Sequence, residues 1–334
     1  MNFAIVGATG NVGRKTLDIL EKSKLKISNL YLIASKKNIG KKIKFKRQTI
    51  KIESLENYNF AKAKITFFAA GSGISKKWVP IAAKKTIVID NSSLFRMKKN
   101  ISLIVPEVNA NDIKNYKKTN IIANPNCSTA QLVVALKPLH DKFKIKRVIV
   151  STYQAVSGAG KAPMDELFSQ TKKILNGKIQ KSKNFTKQIA FNVIPHIDRF
   201  RKDGYTKEEL KMENETKKIL DKKIRITATC VRVPVKTSHS ESVNIEFKRS
   251  FSLKKIKDVL NNSSGCKVVD QRKNGGYITP VEAEGSYLTY ISRIRKDNSN
   301  KKSVNLWIVS DNLLKGAALN TVQIAELLVK KYIK

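Results

Sequence analysis

Cysteine is scarce in this chain, with three in 334 residues. An odd number spread so widely gives neither a disulfide framework nor paired metal-ligand spacing, so no metal site is expected. Histidine is as rare, also three, which leaves few candidates for acid–base chemistry near neutral pH. No run approaches the roughly 20 apolar residues of a membrane span, so a membrane partner is not expected. Met1 leads at once into "NFAIVGATG", a strand running into a glycine turn. A signal peptide is therefore not expected, and the chain reads as cytoplasmic. Carboxylates are short too: 26 Asp and Glu stand against 66 Lys and Arg, a formal net charge of +40.

So large a basic excess suits a nucleic-acid binder, because clustered cations gain affinity by releasing phosphate counterions. The lysines argue otherwise. They fall along the whole chain in short pairs, with no basic tail and no recognisable nucleic-acid motif. A solvated cationic surface is the reading adopted, with no nucleic-acid partner; such a field still attracts anionic small substrates. A nucleic-acid-binding protein built on an enzyme fold is the alternative.

What is present is globular. The 41% apolar content excludes a disordered chain, and the length allows one large or two ordinary domains. Residues 1–125 alternate short β-branched runs with helical patterns, as in a parallel sheet with crossover helices. Strands are predicted at 3–7, 29–35, 65–70, 86–91 and 102–107, with helices at 12–22 and 75–85. From about residue 144 the strands lengthen and half-alternate ("KIKRVIVSTYQAV", "KIRITATCVRVPV", "ESVNIEFKRSF"), which suits a sheet covered on one face. Residues 161–190 read as a helix and then a lysine-rich loop. Residues 312–333 read as one amphipathic helix.

"GATGNVG" places Gly7, Gly10 and Gly13, with Thr9, Asn11 and Val12 between them, after a strand and before a helix. Such glycines let the turn close and bring bare N–H groups to a pyrophosphate at the positive helix end. The spacing is G-x-x-G-x-x-G, and a plain glycine turn is the competing reading. NAD binders carry an acidic residue about 20 positions on, gripping the ribose 2′-hydroxyl. Here Ser35, Lys36 and Lys37 stand at the end of the second strand, and a hydroxyl with two cations suits the 2′-phosphate of NADP(H).

Cys127, in "NPNCSTA", falls where a strand should end and a helix begin. A helix N-terminus favours thiolate over thiol, and its first-turn N–H groups can stabilise an oxyanion. Cys230 lies inside a strand and reads as a small packed apolar residue; Cys266 follows a Ser-Ser-Gly loop and looks incidental. Of the histidines, His140 ends a helix and reads as a cap or surface residue. His196 reads as a pocket wall. His239 lies in a polar bend between two strands, where it could serve as acid/base or be an ordinary loop residue.

"GATGNVG", "DNSSLFR", "VPEVN", "NPNCST", "STYQAVSGAG", "CVRVPV…HSES", "RIRKD" and "VSDNLLKGAA" together resemble bacterial aspartate-semialdehyde dehydrogenase, collinearly from residue 3 to about 327. The resemblance implies an α/β protein: an N-terminal Rossmann-type parallel sheet plus an α+β catalytic and dimerisation domain like that of glyceraldehyde-3-phosphate dehydrogenase. It places the NADP-binding domain at 1–126 plus 312–334 and the catalytic domain at 127–311. It also implies a homodimer that reduces β-aspartyl phosphate to aspartate β-semialdehyde and phosphate with NADPH, on the branch towards lysine, threonine and methionine.

Carried over by position, Cys127 would form a thioester, Gln154 would orient the substrate and His239 would shuttle the proton. Arg232 would clamp the α-carboxylate, which suits a planar bidentate guanidinium. Glu208 would face the α-ammonium and Lys211 would help hold phosphate; three residues apart, they share a helix face. Arg96 and Asn126 would complete the phosphate site. Ser157, Gly158 and Gly160 would line the nicotinamide pocket, with Asn312 at the carboxamide. Reduction of an N-acetyl-γ-glutamyl phosphate is the parallel chemistry to be separated from this one. Two features depart from the family pattern: the segment 161–189 reads as short, and the charge of +40 is unusual.

Overall fold

The computed structural model describes residues 1–333, and they divide into two compact units, 1–125 with 317–333 and 126–316. Asn126 and residues 312–316 group with the second unit, a few residues away from the boundary expected from sequence.

The first unit is built on strands β1 (Asn2–Val6), β2 (Asn29–Ala34), β3 (Lys42–Phe45), β4 (Gln48–Ser54), β5 (Ile65–Phe68), β6 (Ile87–Asp90), β7 (Ser102–Leu103) and β8 (Ile121–Ala123). They form one sheet in the order β3-β4-β2-β1-β5-β6-β8-β7. Every pairing is parallel except that of β3 with β4. β5 and β6 are buried at every residue, as strands covered on both faces must be, which is why they read as unbroken apolar runs. Helices α1 (Asn11–Lys22), α2 (Ser72–Ala82) and α3 (Pro106–Asn109) lie in the connections.

The strand expected at 102–107 stops at Leu103. Pro106, which lacks the N–H that a ladder needs, instead opens α3 at its first turn. The β3–β4 hairpin had no counterpart in the sequence reading. β3 (KIKF) alternates lysine with apolar residues while β4 (QTIKIES) is mostly polar, and the hairpin turns through Lys46 at a positive φ of 52°.

The second unit begins with α4 (Cys127–Phe143) and continues through β9 (Ile145–Gln154), α5 (Lys161–Leu175), α6 (Lys207–Ile219), β10 (Arg225–Arg232) and β11 (His239–Phe247). Then come α7 (Leu253–Asn261), β12 (Cys266–Val268), α8 (Pro280–Ala283), β13 (Thr289–Lys296) and β14 (Ser303–Ser310). The sheet order is β10-β9-β11-β14-β13-β12. Alternate residues of β9 are buried and exposed; the buried set lies under α4, whose own residues 128–136 are all buried. A capping box, Thr206 with Glu209, starts α6, joining two otherwise orphaned helix-end donors to acceptors.

The expected single helix at 312–333 is shorter. A π-helical turn spans Leu314–Ala318, and α9 runs from Leu319 to Lys331, back in the first unit. Among the described residues no helix is long and apolar enough to cross a membrane.

Candidate active site

In the first unit the glycine turn follows β1 and opens α1. Gly7 has φ +88°, and a Cβ there would lie 2.6 Å from the Ala69 carbonyl oxygen. A Cβ on Gly13 would lie 2.1 Å from the Gly7 carbonyl oxygen, so neither position admits a side chain. Gly10, the N-cap of α1, is less confined, its Cβ position 3.5 Å from the nearest backbone atom.

Beside the turn lies a cleft of about 660 Å³, floored by Gly7, Thr9 and Gly10 and flanked by Ser35, Lys36 and Lys37. The cradle therefore fits a dinucleotide, with bare backbone on the pyrophosphate side and cations at its far end. Asn38, absent from the sequence reading, donates to Thr9 Oγ1 and Ser35 Oγ, both at 3.3 Å. Glu56 also lines the cleft. A hydrogen bond from Ser54 holds its carboxyl below the ordinary range, helped by Lys36 and Lys77. The cleft thus contains a carboxylate that the local second-strand pattern does not show. Elsewhere in this unit, Arg96 is buried with Nε donating to Asn124 O and Nη2 to Asn91 O, both at 2.9 Å. These bonds fix the direction of its guanidinium.

In the second unit Cys127 is the first residue of α4, half-buried, and none of the three cysteines is in a disulfide. Asn126 is the N-cap: its Oδ1 accepts from the N–H groups of Ser128 (3.0 Å) and Thr129 (3.2 Å). Its Nδ2 donates to Glu208 (2.7 Å) and its backbone N–H to Glu215 (2.6 Å). Its side chain is thus occupied in holding the helix start. Gly316 makes room for the cysteine, since a Cβ there would lie 2.6 Å from Cys127 Cβ. That glycine was not singled out from sequence, because its need arises only from the contact.

Three side chains meet the start of α4 from the sheet. Gln154 and Arg232 are the last residues of β9 and β10 and lie opposite each other in register; His239 is the first residue of β11. All three are buried. Gln154 Nε2 donates to Ser128 Oγ (2.8 Å) and to Glu208 Oε1 (3.1 Å), while its Oε1 has no partner. An unpaired carbonyl in so buried a place is available to a ligand donor. Arg232 Nη1 donates to Ala155 O at 2.7 Å. Burial lowers the Arg232 pKa, opposed by the negative charges of Glu208 and Cys127.

His239 Nδ1 accepts the Ala155 N–H at 3.0 Å, and its Nε2 is buried without a partner. With Nδ1 accepting, the neutral ring carries its proton on Nε2. Burial first, and then the Arg232 charge, push His239 down to about 3, so it is neutral at physiological pH. A Cβ on Gly158 would lie 3.2 Å from this ring and 3.5 Å from Arg232 Nη1. Asn312 bonds the Ser157 hydroxyl (3.0 Å) and accepts the Ser238 N–H (2.9 Å), holding the positive-φ residue that precedes His239. Gly160, the N-cap of α5, has φ +113°.

Glu208 and Lys211 do share one face of α6, with Nζ–Oε2 2.9 Å apart, and Lys211 also pairs with Asp198 at 2.8 Å. Burial opposes the Glu208 charge, but Lys211 and the donors of Gln154 and Asn126 outweigh it and hold the carboxyl at about 2. The same pairing lifts Lys211 to about 12 against its own burial.

Of the other candidates weighed, Cys230 is fully buried and burial pushes its thiol far up. Cys266 donates to Val134 O at 3.5 Å. His140 accepts the Ile145 N–H and lies 3.4 Å from Asp221 near the end of α4. His196 stacks on Phe200 at 4.1 Å.

A glycine cradle on a parallel sheet, and in the other unit a sheet with a cysteine at a helix start, are features of a nicotinamide-linked dehydrogenase. The family models agree: "Semialdehyde dehydrogenase, NAD binding domain" matches residues 2–116, and "Semialdehyde dehydrogenase, dimerisation domain" matches 136–315. Curated aspartate-semialdehyde dehydrogenases from Rickettsia bellii and Aquifex aeolicus are 49% and 50% identical, covering 99% and 98% of this chain and 98% of each relative. A crystal structure of aspartate semialdehyde dehydrogenase II from Vibrio cholerae, complexed with ASA, superposes with TM-score 0.97 at 45% identity, covering 99% of this chain and 98% of that one. The chain belongs to the aspartate-semialdehyde dehydrogenase family.

Proposed function

We propose that this enzyme reduces β-aspartyl phosphate to aspartate β-semialdehyde and phosphate, using NADPH and a thioester on Cys127. The observation that carries the proposal is the position of Cys127 on the first turn of α4 with Gln154, Arg232 and His239 buried in one row beneath it. The positive helix end and the Arg232 cation both favour a thiolate. Attack on the acyl phosphate carbonyl forms the C–S bond, and the C–O bond to phosphate breaks with its electron pair. First-turn N–H groups stabilise the intervening oxyanion.

The nicotinamide supplies hydride to the thioester carbonyl. The residues of the chain do the rest. Nε2–H of His239 donates a hydrogen bond to the developing alkoxide, whose collapse re-forms the C=O bond, breaks the C–S bond with its electron pair returning to Cys127 as thiolate, and frees the aldehyde. Gln154 Oε1 orients the substrate, and Arg232 binds the α-carboxylate. Glu208 binds the α-ammonium, which an acetylated substrate would lack. Lys211 and Arg96 serve the phosphate; Asn126 would have to exchange Glu208 for phosphate to join them.

For the cofactor, Gly7, Thr9, Gly10, Asn11, Val12 and Gly13 cradle the pyrophosphate. Ser35, Lys36 and Lys37 favour the 2′-phosphate of NADP, and the aspartate semialdehyde dehydrogenase of Candida albicans, 25% identical, has been crystallised with NADP. Ser157, Gly158, Gly160 and Asn312 serve the nicotinamide end. The protein works as a homodimer, through the outer face of the second sheet, where Ile149, Tyr153 and Tyr277 are exposed and Tyr153 packs on Trp307. It acts in the cytoplasm, on the route to lysine, threonine and methionine.

In the reverse direction, purified protein should form NADPH from NADP and aspartate semialdehyde only when phosphate is present. Cys127→Ala should abolish that reaction while leaving NADPH binding intact. Phosphate-independent turnover, or a substantial rate in the alanine variant, would sink the thioester route.

A further inference from the structure

Directly beneath the Gln154–Arg232–His239 row lies a second polar row that the proposed reaction does not use. Two residues back along each strand, or forward along β11, the same covered face carries Thr152, Cys230 and Glu241, with Thr152 the register partner of both others. Glu241 is 0% exposed, and neither carboxyl oxygen has a hydrogen-bond partner. The side chain that bears on it is Gln131 of α4, one helical turn after Cys127. Gln131 Nε2 donates to the His239 carbonyl at 3.3 Å, while its own Oε1 is buried and without a partner.

As a carboxylate Glu241 could only accept, and this part of the core would then hold three acceptor oxygens against a single unpaired donor, the Thr152 hydroxyl. Buried polar groups are rarely left so, and a buried unpaired carboxylate costs far more than a buried acid. One proton resolves the account. We propose that Glu241 is held as a neutral carboxylic acid donating to Gln131 Oε1, and that this pair is a positioning device which fixes the Gln131 amide on the His239 carbonyl below Cys127.

The environment is consistent from each side. β9 presents Thr152, β10 the fully buried thiol of Cys230, β14 Ile308, and α4 Gln131 with Cys127 a turn above; His239 is the other titratable group on β11. Burial drives the Glu241 carboxyl well up, with only Gln131 opposing it. The charges of Arg232 and Glu208 fall on His239. Ionised, Glu241 would place a second negative charge below the cysteine thiolate and disfavour it; neutral, it leaves that thiolate to Arg232 and the helix start. The role of Glu241 in catalysis rests on the reaction proposed above, whereas its protonation state does not.

Infrared difference spectra of wild type against Glu241→Gln at neutral pH should show the C=O stretch of a protonated carboxylic acid, lost in the variant. Its absence overturns the proposal whatever the enzyme's activity. In steady-state assays Glu241→Gln, which keeps a donor for Gln131, should retain kcat within about twofold at pH 7, since the bond it replaces is neutral. It should lack the alkaline fall in kcat that ionisation of the acid causes in wild type. Glu241→Leu and Gln131→Leu should each lower kcat by about tenfold or more with KM little changed, and the double variant should be no worse than either, as coupled partners are. Wild-type kcat in the leucine variants, or identical pH profiles for wild type and Glu241→Gln, overturns the proposal. If the leucine variants do not fold, the infrared band and the glutamine pH profile decide it.

Discussion

His239 behaves unlike a free imidazole because burial outweighs every charge around it. Its folded pKa of about 3 lies below the ordinary value near 6.5. Between those values the unfolded chain binds more protons than the folded one, so stability falls as pH drops through that window. Glu208 acts the same way lower down: depressed to about 2 from 4.5, its contribution is whole above 4.5 and is lost towards 2. Acid unfolding followed by circular dichroism should therefore begin at a lower pH in His239→Gln than in wild type. A midpoint that does not move means the ring is not the buried neutral group described here. His239→Ala should reduce turnover by ~10²–10³, the range for a lost hydrogen-bond donor to the oxyanion. In wild type no limb of the kcat/KM profile near 6.5 should belong to this residue.

At the scale of elements, the sequence carries positions that obey local rules and hides those defined by contact. Cys127 at a helix start was legible because a strand, an Asn-Pro-Asn turn and Ser-Thr mark the corner by themselves. Glu208 and Lys211 were legible as i, i+3 neighbours. The β3–β4 hairpin was not, because its strands, KIKF at the sheet edge and QTIKIES beside it, interleave polar residues and lack the apolar run that marks a buried strand. Nor was Gly316, whose neighbour is 189 positions away in the chain, nor Glu241, which looks like one more acid in "HSES" until register puts it under the site. The π-turn at Leu314–Ala318 was hidden because its residues keep the apolar spacing of a helix.

The glycine turn gives an element-scale test with an internal control. Gly13→Ala puts a methyl 2.1 Å from a backbone oxygen and should cost about 2–4 kcal/mol, the upper range for one substitution, with NADPH binding lost. Gly10→Ala, with 3.5 Å of room, should cost about 1 kcal/mol or less, the price of an N-cap glycine. Thermal melts with and without NADPH separate the two. Equal losses at both positions would mean that the turn is not the tight cradle argued above.

At the scale of the whole molecule the charge of +40 has to be accommodated by the fold. Ion pairs such as Lys161–Asp165 and Lys236–Glu284 have exposed partners, and such pairs contribute about 0–1 kcal/mol each. With 66 cations against 26 anions, most cations have no acidic counterpart, and repulsion among them is the dominant long-range term. That repulsion reaches ~30 Å at 0.01 M ionic strength but only ~8 Å at 0.15 M. Tm should therefore rise with added sodium chloride over this range, by on the order of 2–4 °C for each kcal/mol of repulsion screened. Sedimentation over the same range should show association strengthening with salt, because two +40 subunits repel each other as they approach. A Tm that falls as salt is added would show instead that specific ion pairs, not the uncompensated lysines, govern stability.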